Sequence, residues 1–178
     1  DTDMDELRAF NMLHLLTAKP VLYVANVDEI SAANGNNYSK LITEFAEKEG
    51  NTSTIISAKI EEEIASLETQ EEKQEFLESL GINKTGLSKI ILKGYELLNL
   101  ITFFTVGDKE AHAWTVKKGA KAPVAAGVIH TDFEKGFIRA ETISYNDYVK
   151  YNGELGAKEA GKLRTEGKDY LVNDGDIF

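Results

Sequence analysis

The sequence contains no cysteine. This absence excludes disulfide bonds, thiolate metal sites and cysteine nucleophiles, and it is typical of a cytoplasmic protein. Long hydrophobic runs are missing as well, because apolar stretches such as Val21–Ala25 and Ile90–Leu92 soon meet polar residues. A helix needs roughly 20 apolar residues to cross a bilayer, so we expect no membrane-spanning segment.

Basic charge is outweighed by acidic charge, and the net charge is −10. This balance argues against non-specific binding to nucleic acid, and we expect no sequence-specific DNA recognition. The excess is uneven, because residues 1–109 contain 10 basic and 19 acidic side chains, whereas residues 110–178 contain 10 and 11. The second part can therefore present a local basic face, although a solvated surface is the simpler interpretation.

The N-terminus begins with the acidic run Asp1-Thr2-Asp3-Met4-Asp5-Glu6. Signal and transit peptides carry basic residues near their start, so this run fits neither kind of targeting segment. The first residue is also not Met, and we therefore expect the chain to be a piece of a longer protein.

Apolar periodicity predicts an α/β arrangement in the first part of the chain. Two β-rich apolar runs, Val21–Ala25 and Thr52–Ile56, are typical of strands buried on both faces. A helical pattern lies between them, from Tyr38 to Ala46, and Gly50 is a natural stop. The strand–helix–strand order indicates a βαβ unit with a parallel sheet. Other helices are predicted at residues 4–17, 60–68, 71–80 and 86–99.

The pattern changes near Asn99, where we place a domain boundary. Two predicted strands, 101–106 and 112–116, form a hairpin across the turn Gly107-Asp108-Lys109. The short connections that follow indicate a small mixed α+β domain. Its remaining predicted features are a helix over 122–133, a strand over 138–145, a short helix over 147–151 and a turn at Asn173-Asp174-Gly175.

The most informative pattern is a pair of polar segments that follow the two strands of the predicted βαβ unit. Asn26-Val27-Asp28-Glu29 follows the first strand, and Ser57-Ala58-Lys59 follows the second. In P-loop GTPases the base is held by an Asn-Lys-x-Asp motif and then by a Ser-Ala-Lys loop, in this order. An Asn-x-x-Glu sequence alone is more often a helix cap or a turn, so the interpretation rests on the ordered pair.

Two departures from the GTPase motif favour adenine over guanine. Val27 replaces the Lys, and Glu29 replaces the Asp whose carboxylate accepts hydrogen bonds from the ring N–H and the exocyclic amine of guanine. Adenine lacks these two adjacent donors. An unsatisfied hydrogen-bonding group in such a site costs roughly 1–3 kcal/mol, which is enough to reverse a base preference.

A second segment, Gly156–Leu163, matches the GxxxxGK pattern of a phosphate loop. The residue after the Lys must be Ser or Thr, because its hydroxyl binds Mg²⁺, and here that residue is Leu163. No buried apolar strand precedes the segment either. We therefore reject the phosphate-loop interpretation and expect a solvated loop or a helical turn.

We predict neither a metal site nor a catalytic residue in this chain. The histidines have no metal-ligand spacing among themselves, and no Ser-His-Asp arrangement or carboxylate pair is evident. His130 is interpreted as a helix-terminal residue beside a capping Thr131 or Asp132. Glu61–Glu63 is expected to face solvent, and Trp114 is expected to lie in the core.

Longer segments of the chain resemble the YchF / Obg-like ATPase family, a group of translation-factor-class P-loop proteins. The resemblance covers nearly the whole chain. It is carried by Leu16–Val27, Gly94–Phe104, His130–Ala140, Gly156–Asp169 and Asp174-Gly175-Asp176. Members of this family prefer ATP to GTP and carry Asn-x-x-Glu where GTPases carry Asn-Lys-x-Asp. Asn26, Val27 and Glu29 match that motif.

The resemblance implies an α/β fold in three parts. Residues 1–17 would end a helical coiled-coil insertion, and residues 18–97 would form the C-terminal portion of the P-loop nucleotide-binding domain, an OBG-type G domain. Residues 98–178 would form a TGS domain, a ubiquitin-like β-grasp module. In the family the phosphate loop, the switch regions and the residues that position water lie upstream of the position of Asp1. We therefore expect this segment alone to be inactive.

The resemblance also implies ligands and partners. The intact protein would be an ATPase, a hydrolase acting on acid anhydrides, that uses ATP with Mg²⁺ and associates with the ribosome. The Mg²⁺ ligands would lie outside this chain. The predicted ligand-binding residues are Asn26 and Glu29, which orient the adenine, Val27, which offers backbone contacts, and Ser57 and Ala58, which close the base pocket.

Two other functions remain open. The chain can act as a non-enzymatic module that binds the ribosome, RNA or protein through the TGS domain, or belong to a GTP-binding protein with a degenerate base motif.

Overall fold

The computed structural model describes residues 3–107 and 109–178. They form two compact units that divide between Leu98 and Asn99. Asp1 and Thr2 of the acidic N-terminal run, and Asp108 of the predicted hairpin turn, lie outside the described residues. Within the described part of the chain, no helix is long and apolar enough to cross a membrane.

The first unit is a pair of parallel strands with helices around it. Its elements are α1 (Met4–Met12), β1 (Leu22–Asn26), α2 (Asn37–Lys48), β2 (Thr52–Ile56), α3 (Ala58–Ser66), α4 (Gln70–Ser79) and α5 (Gly86–Leu97). The predicted strands and the helices from α2 to α5 are confirmed, with bounds that differ by about two residues at most.

Strands β1 and β2 pair in parallel along their full lengths. Side chains alternate between the faces of a sheet, so Tyr23 and Ile56 point to opposite sides. Helix α2 lies on the side of Tyr23, where the Phe45 ring meets the Tyr23 ring edge-on at 5.8 Å between centroids. Helix α5 lies on the other side, where Gly86 packs against Ile56. The predicted βαβ unit is therefore confirmed, with a helix on each face of its sheet.

The apolar core of the first unit joins the loop after β1 to α3 and α4. It consists of Ala32, Ile60, Ile64, Leu77 and Ile82, with Phe76 and Leu80 packed against it. Because Ile60 and Ile64 lie one turn apart on α3, their burial fixes which face of that helix turns inward.

Helix α1 is shorter than the helix predicted over residues 4–17. It begins after Asp3, whose carboxylate accepts a hydrogen bond from the Asp5 N–H, and it ends at Met12. His14 then adopts a φ of +49°, in the left-handed region that a continuing right-handed helix excludes. The prediction is therefore wrong beyond Met12, where the backbone turns before the short 3₁₀ helix Leu16–Ala18.

The second unit is built on a mixed sheet. Its elements are β3 (Leu100–Val106), β4 (Ala111–Lys117), α6 (Ala122–Ile129), α7 (Thr131–Gly136), β5 (Ala140–Ser144), α8 (Tyr145–Lys150), α9 (Glu154–Glu159), β6 (Arg164–Glu166) and β7 (Asp176–Ile177). The strand order across the sheet is β4-β3-β7-β5-β6. Strands β3 and β4 form the predicted antiparallel hairpin. The first and last strands of the unit, β3 and β7, run parallel at the centre of the sheet.

The core of the second unit lies between this sheet and α6. Its buried members are Ile101, Phe103, Val116, Ala125 and Val172. Trp114 packs against the cluster, and its indole N–H donates a hydrogen bond of 2.9 Å to the Thr105 hydroxyl. Trp114 is only partly buried, so the prediction that it is a core residue is confirmed in part.

One predicted helix of the second unit is in fact two. The helix predicted over 122–133 is interrupted at His130, which has the extended backbone angles φ −158° and ψ 139°. The His130 Nδ1 accepts a hydrogen bond of 3.2 Å from the Asp132 N–H, so the histidine caps the second helix. His130 is helix-terminal, as predicted, but it is itself the cap rather than the neighbour of one.

Candidate functional site

The polar segments that follow β1 and β2 leave the sheet side by side. Parallel strands end at the same edge, so Asn26 and Ile56 are register partners at the ends of their strands. The Val27 N–H extends this ladder by donating a hydrogen bond of 2.9 Å to the Ile56 carbonyl. The two segments predicted to bind a base are therefore brought together.

The Asn26 side chain bridges the two segments. Its Oδ1 accepts a hydrogen bond of 2.9 Å from the Ala58 N–H. Ala58 is the first residue of α3, and the first N–H groups of a helix have no partner within the helix. Asn26 thus supplies one of the missing acceptors and fixes the start of α3 beside the end of β1.

An ion pair forms a second bridge. The Lys59 Nζ lies 2.5 Å from the Glu29 Oε1. The contact with Lys59 holds the pKa of the Glu29 carboxyl below its usual range, and the contact with Glu29 raises the pKa of the Lys59 ammonium. Both side chains are substantially exposed, so the pair contributes little to overall stability. The effect of the ion pair is local, because a carboxylate bound to Lys59 is less available to accept hydrogen bonds from a ligand.

Asp28 shapes the first segment, although it was not among the predicted site residues. Its Oδ1 accepts a hydrogen bond of 2.8 Å from the Ser31 N–H. The Ser31 side chain, together with this N–H, lowers the pKa of the Asp28 carboxyl. A carboxylate that accepts from a following backbone N–H closes a turn. The Ala32 N–H donates to the Glu29 carbonyl one step further on. The Asp-x-x-Ser spacing is the sequence signal that indicates this turn.

Ser57 occupies a different environment from the other predicted residues. It is 4% exposed, and its hydroxyl has no hydrogen-bond partner in the described parts of the chain. Ser57 lines a small cavity together with Ile60, Glu61 and Gly86, and this cavity does not reach Asn26, Val27, Glu29 or Ala58. The Ser57 side chain therefore points into this cavity, and only its backbone belongs to the paired segments.

The expectation that Glu61–Glu63 faces solvent is wrong for its first member. The Glu61 carboxylate accepts hydrogen bonds from the Gly86 N–H at 2.5 Å and the Leu87 N–H at 3.1 Å. Glu62 and Glu63 are exposed, as expected. The three residues are indistinguishable by type, and only the fold places the first against α5.

The segment that resembles a phosphate loop is a helix and its end. Gly156 and Ala157 belong to α9, and Ala157 is fully buried. The Lys162 N–H donates to the Ala157 carbonyl, and Gly161 has a φ of +68°, which together form a glycine C-cap. A helical turn that ends in a glycine C-cap is not the open loop that wraps a phosphate, so the rejection of this segment agrees with its structure.

The histidines give no sign of a metal centre. Among residues 3–107 and 109–178, no group of three or more His, Cys, Asp or Glu side chains is arranged to hold a metal ion.

The second unit matches a known protein family. The family model described as "YchF-GTPase_C: Protein of unknown function (DUF933)" matches residues 100–178. This range begins at β3 and includes every later strand of the second unit.

Relatives match the whole chain. It is 56% identical over 178 residues to a Pasteurella multocida protein named "Ribosome-binding ATPase YchF", a match that covers 100% of the chain and 48% of the relative. A Bacillus subtilis protein of the same name is 54% identical over 176 residues, which cover 98% of the chain and 48% of the relative. The chain thus spans about half the length of the curated relatives that it matches.

A solved structure has the same fold. "Structure of the Schizosaccharomyces pombe YchF GTPase" is 42% identical, with a TM-score of 0.81, and the match covers 99% of the chain and 47% of the yeast protein. The names of these proteins differ on the nucleotide, since the bacterial relatives are called ATPases and the fission yeast protein a GTPase. The residues of the site therefore bear on the choice of base.

Replacing Lys59 by Met tests the bridge between the two segments. Without the ammonium, the pKa of the Glu29 carboxyl should rise toward its ordinary value of 4.5. The pKa of the Glu29 carboxyl is lower in the folded state than in the unfolded state. The ion pair therefore stabilises the fold at pH values above the unfolded pKa. This contribution disappears as the pH falls through the folded pKa. The variant should lack this dependence. The measurement is an NMR pH titration of the Glu29 side chain.

The matched control is Lys93→Met, which removes an exposed ion pair with Glu96 at 2.7 Å elsewhere in the first unit. This variant should leave the titration of Glu29 unchanged. An unaltered Glu29 titration in Lys59→Met would contradict the proposed bridge.

Proposed function

We propose that the chain belongs to the YchF family, because it is similar along its whole length to proteins of that name. We propose further that its first unit carries the base-binding part of an adenine-nucleotide site and that the longer protein hydrolyses ATP. The observation that carries this proposal is the double bridge between the two segments, from Asn26 to Ala58 and from Glu29 to Lys59. A base held between two loops needs both loops fixed in advance, because ordering them on binding would weaken affinity.

The state of Glu29 supports a preference for adenine. Guanine offers two adjacent donors, its ring N–H and its exocyclic amine, which a carboxylate at this position must be free to accept. Here the carboxylate is bound to Lys59 and lies one methylene farther from the backbone than an Asp would. Guanine would leave donors unsatisfied, at a cost of about 1–3 kcal/mol. Adenine loses nothing, because its corresponding edge lacks those donors.

The remaining site residues have more limited roles in this proposal. The Asn26 amide nitrogen has no hydrogen-bond partner among the described residues and can donate to a base nitrogen. Val27 offers apolar surface and its carbonyl, since its N–H is already committed to β2. Ser57 and Ala58 border the base through their backbone.

Phosphate binding is assigned to the rest of the longer protein. Bound Mg²⁺ neutralises charge that develops on the phosphates, and the residues of this chain bind and orient the base. A base contact is equally strong in the ground state and in the transition state, so it lowers KM without raising kcat. We therefore propose that residues 18–97 complete a P-loop domain and that this chain alone does not hydrolyse ATP.

Replacing Glu29 by Asp in the longer protein tests the base assignment. The shorter carboxylate should release Lys59 and become available to guanine, so the preference for ATP over GTP should fall by roughly tenfold, the value of one hydrogen bond to a base. The measurement is a binding titration with labelled ATP and GTP. Glu62→Asp is the matched control, because Glu62 is exposed and makes none of the bridging contacts. An unmoved ATP/GTP ratio in Glu29→Asp would mean that Glu29 does not read the base.

The second unit favours a second function, binding to the ribosome. Residues 99–178 have their own sheet and their own buried cluster. The relatives that match the chain are named ribosome-binding proteins. We propose that this unit is a TGS domain and makes part of the ribosome contact.

Core variants of the whole chain test which unit binds the ribosome. Phe103→Ala should destabilise the second unit by about 3–5 kcal/mol and abolish co-sedimentation with ribosomes, because Phe103 is fully buried there. Ile60→Ala removes a buried residue of the first unit and should leave co-sedimentation intact. Each variant is also centrifuged without ribosomes to detect aggregation. Loss with Ile60→Ala and retention with Phe103→Ala would assign the contact to the first unit.

A further inference from the structure

Glu61 contacts both the proposed base site and the start of α5. Its backbone N–H donates a hydrogen bond of 3.1 Å to the carbonyl of Ser57, the first residue of the proposed base-binding segment Ser57–Lys59 (the base segment). Its carboxylate accepts from the Gly86 and Leu87 N–H groups at the start of α5. Glu61 therefore connects the base segment to the N-terminus of α5.

The residue type suits this task. Helix α5 begins after Thr85, whose side chain accepts a hydrogen bond from the Ser88 N–H. The N–H groups of the two residues between them are left without a partner inside the helix. The two oxygens of Glu61 satisfy one each, and a negative charge at a helix N-terminus is favourable. Gln would keep a single acceptor oxygen at this distance, and Ala would keep none.

The fit around Gly86 shows how closely the parts are packed. A Cβ atom at Gly86 would lie 2.9 Å from the Ile56 side chain and 3.0 Å from the Glu61 Oε1. Ile56 is the last residue of β2 and immediately precedes Ser57. The start of α5 thus packs against Ile56, which precedes the base segment, and against the Glu61 carboxylate, which follows it.

We propose that Glu61 is a positioning residue, which holds the Ser57–Lys59 segment where the Ala58 N–H reaches Asn26 and Lys59 reaches Glu29. The positioning role is inferred from the contacts of Glu61. Its effect on nucleotide binding rests on the proposed function. Without the carboxylate, the first turn of α3 loses its tie to α5. The base segment then shifts, and both bridges weaken together.

The first test measures the loop itself, in this chain and without nucleotide. Hydrogen exchange of the Ala58 amide is followed by NMR in Glu61→Ala, Glu61→Gln and the matched control Glu62→Ala. Exchange should accelerate in Glu61→Ala by roughly tenfold, the order expected for one weakened hydrogen bond, and by less in Glu61→Gln. It should stay at the original rate in Glu62→Ala. Unchanged Ala58 exchange in a folded Glu61→Ala or Glu61→Gln variant would overturn the proposal.

The second test measures the consequence in the longer protein. A positioning role predicts that Glu61→Ala raises the KM for ATP by roughly tenfold with little change in kcat, and that Glu61→Gln partly restores it. A purely structural role would lower the melting temperature and leave KM unchanged below it, and that result would overturn the proposal. If the original protein does not bind ATP but Ala58 exchange responds as expected, the nucleotide function fails and the positioning role stands.

Discussion

The hydrogen bond between the Asn26 side chain and the Ala58 N–H is the contact on which the rest of the site depends. It joins the ends of two parallel strands, next to the hydrogen bond from the Val27 N–H to the Ile56 carbonyl that closes their ladder. A single amide oxygen thereby satisfies a helix N-terminus and sets the distance between two loops. The same contact keeps the segments that carry Glu29 and Lys59 side by side, where the two side chains form their ion pair.

The surrounding fold restrains the same loop from its other side. Helix α3 is fixed by its buried residues Ile60 and Ile64, and its first turn is tied to α5 through Glu61. The base segment is therefore held by Asn26 at one end and by the core of the first unit at the other. Such restraint before binding is what allows a small number of polar groups to discriminate between similar bases.

Local patterns were sufficient for the strands and for the pairing of the polar segments Asn26–Glu29 and Ser57–Lys59. Apolar runs buried on both faces indicate a parallel sheet, and parallel strands end at one edge, so Asn26 and Ala58 could be expected to meet. Contacts between distant elements could not be foreseen. Glu61 has the same side chain as its exposed neighbours, and the break at His130 depends on a cap formed by the histidine ring.

If the Asn26 oxygen holds the proposed base site together, its loss must weaken nucleotide binding, and the dissociation constant for ATP in the longer protein measures this most directly. Asn26→Asp keeps an acceptor for the Ala58 N–H, whereas Asn26→Ala keeps none. We predict that Asn26→Ala weakens ATP binding by roughly tenfold or more, and that Asn26→Asp, which keeps the acceptor but replaces the amide donor by a charged oxygen, weakens it less. Equal ATP affinity in Asn26→Ala and the original protein would contradict the account.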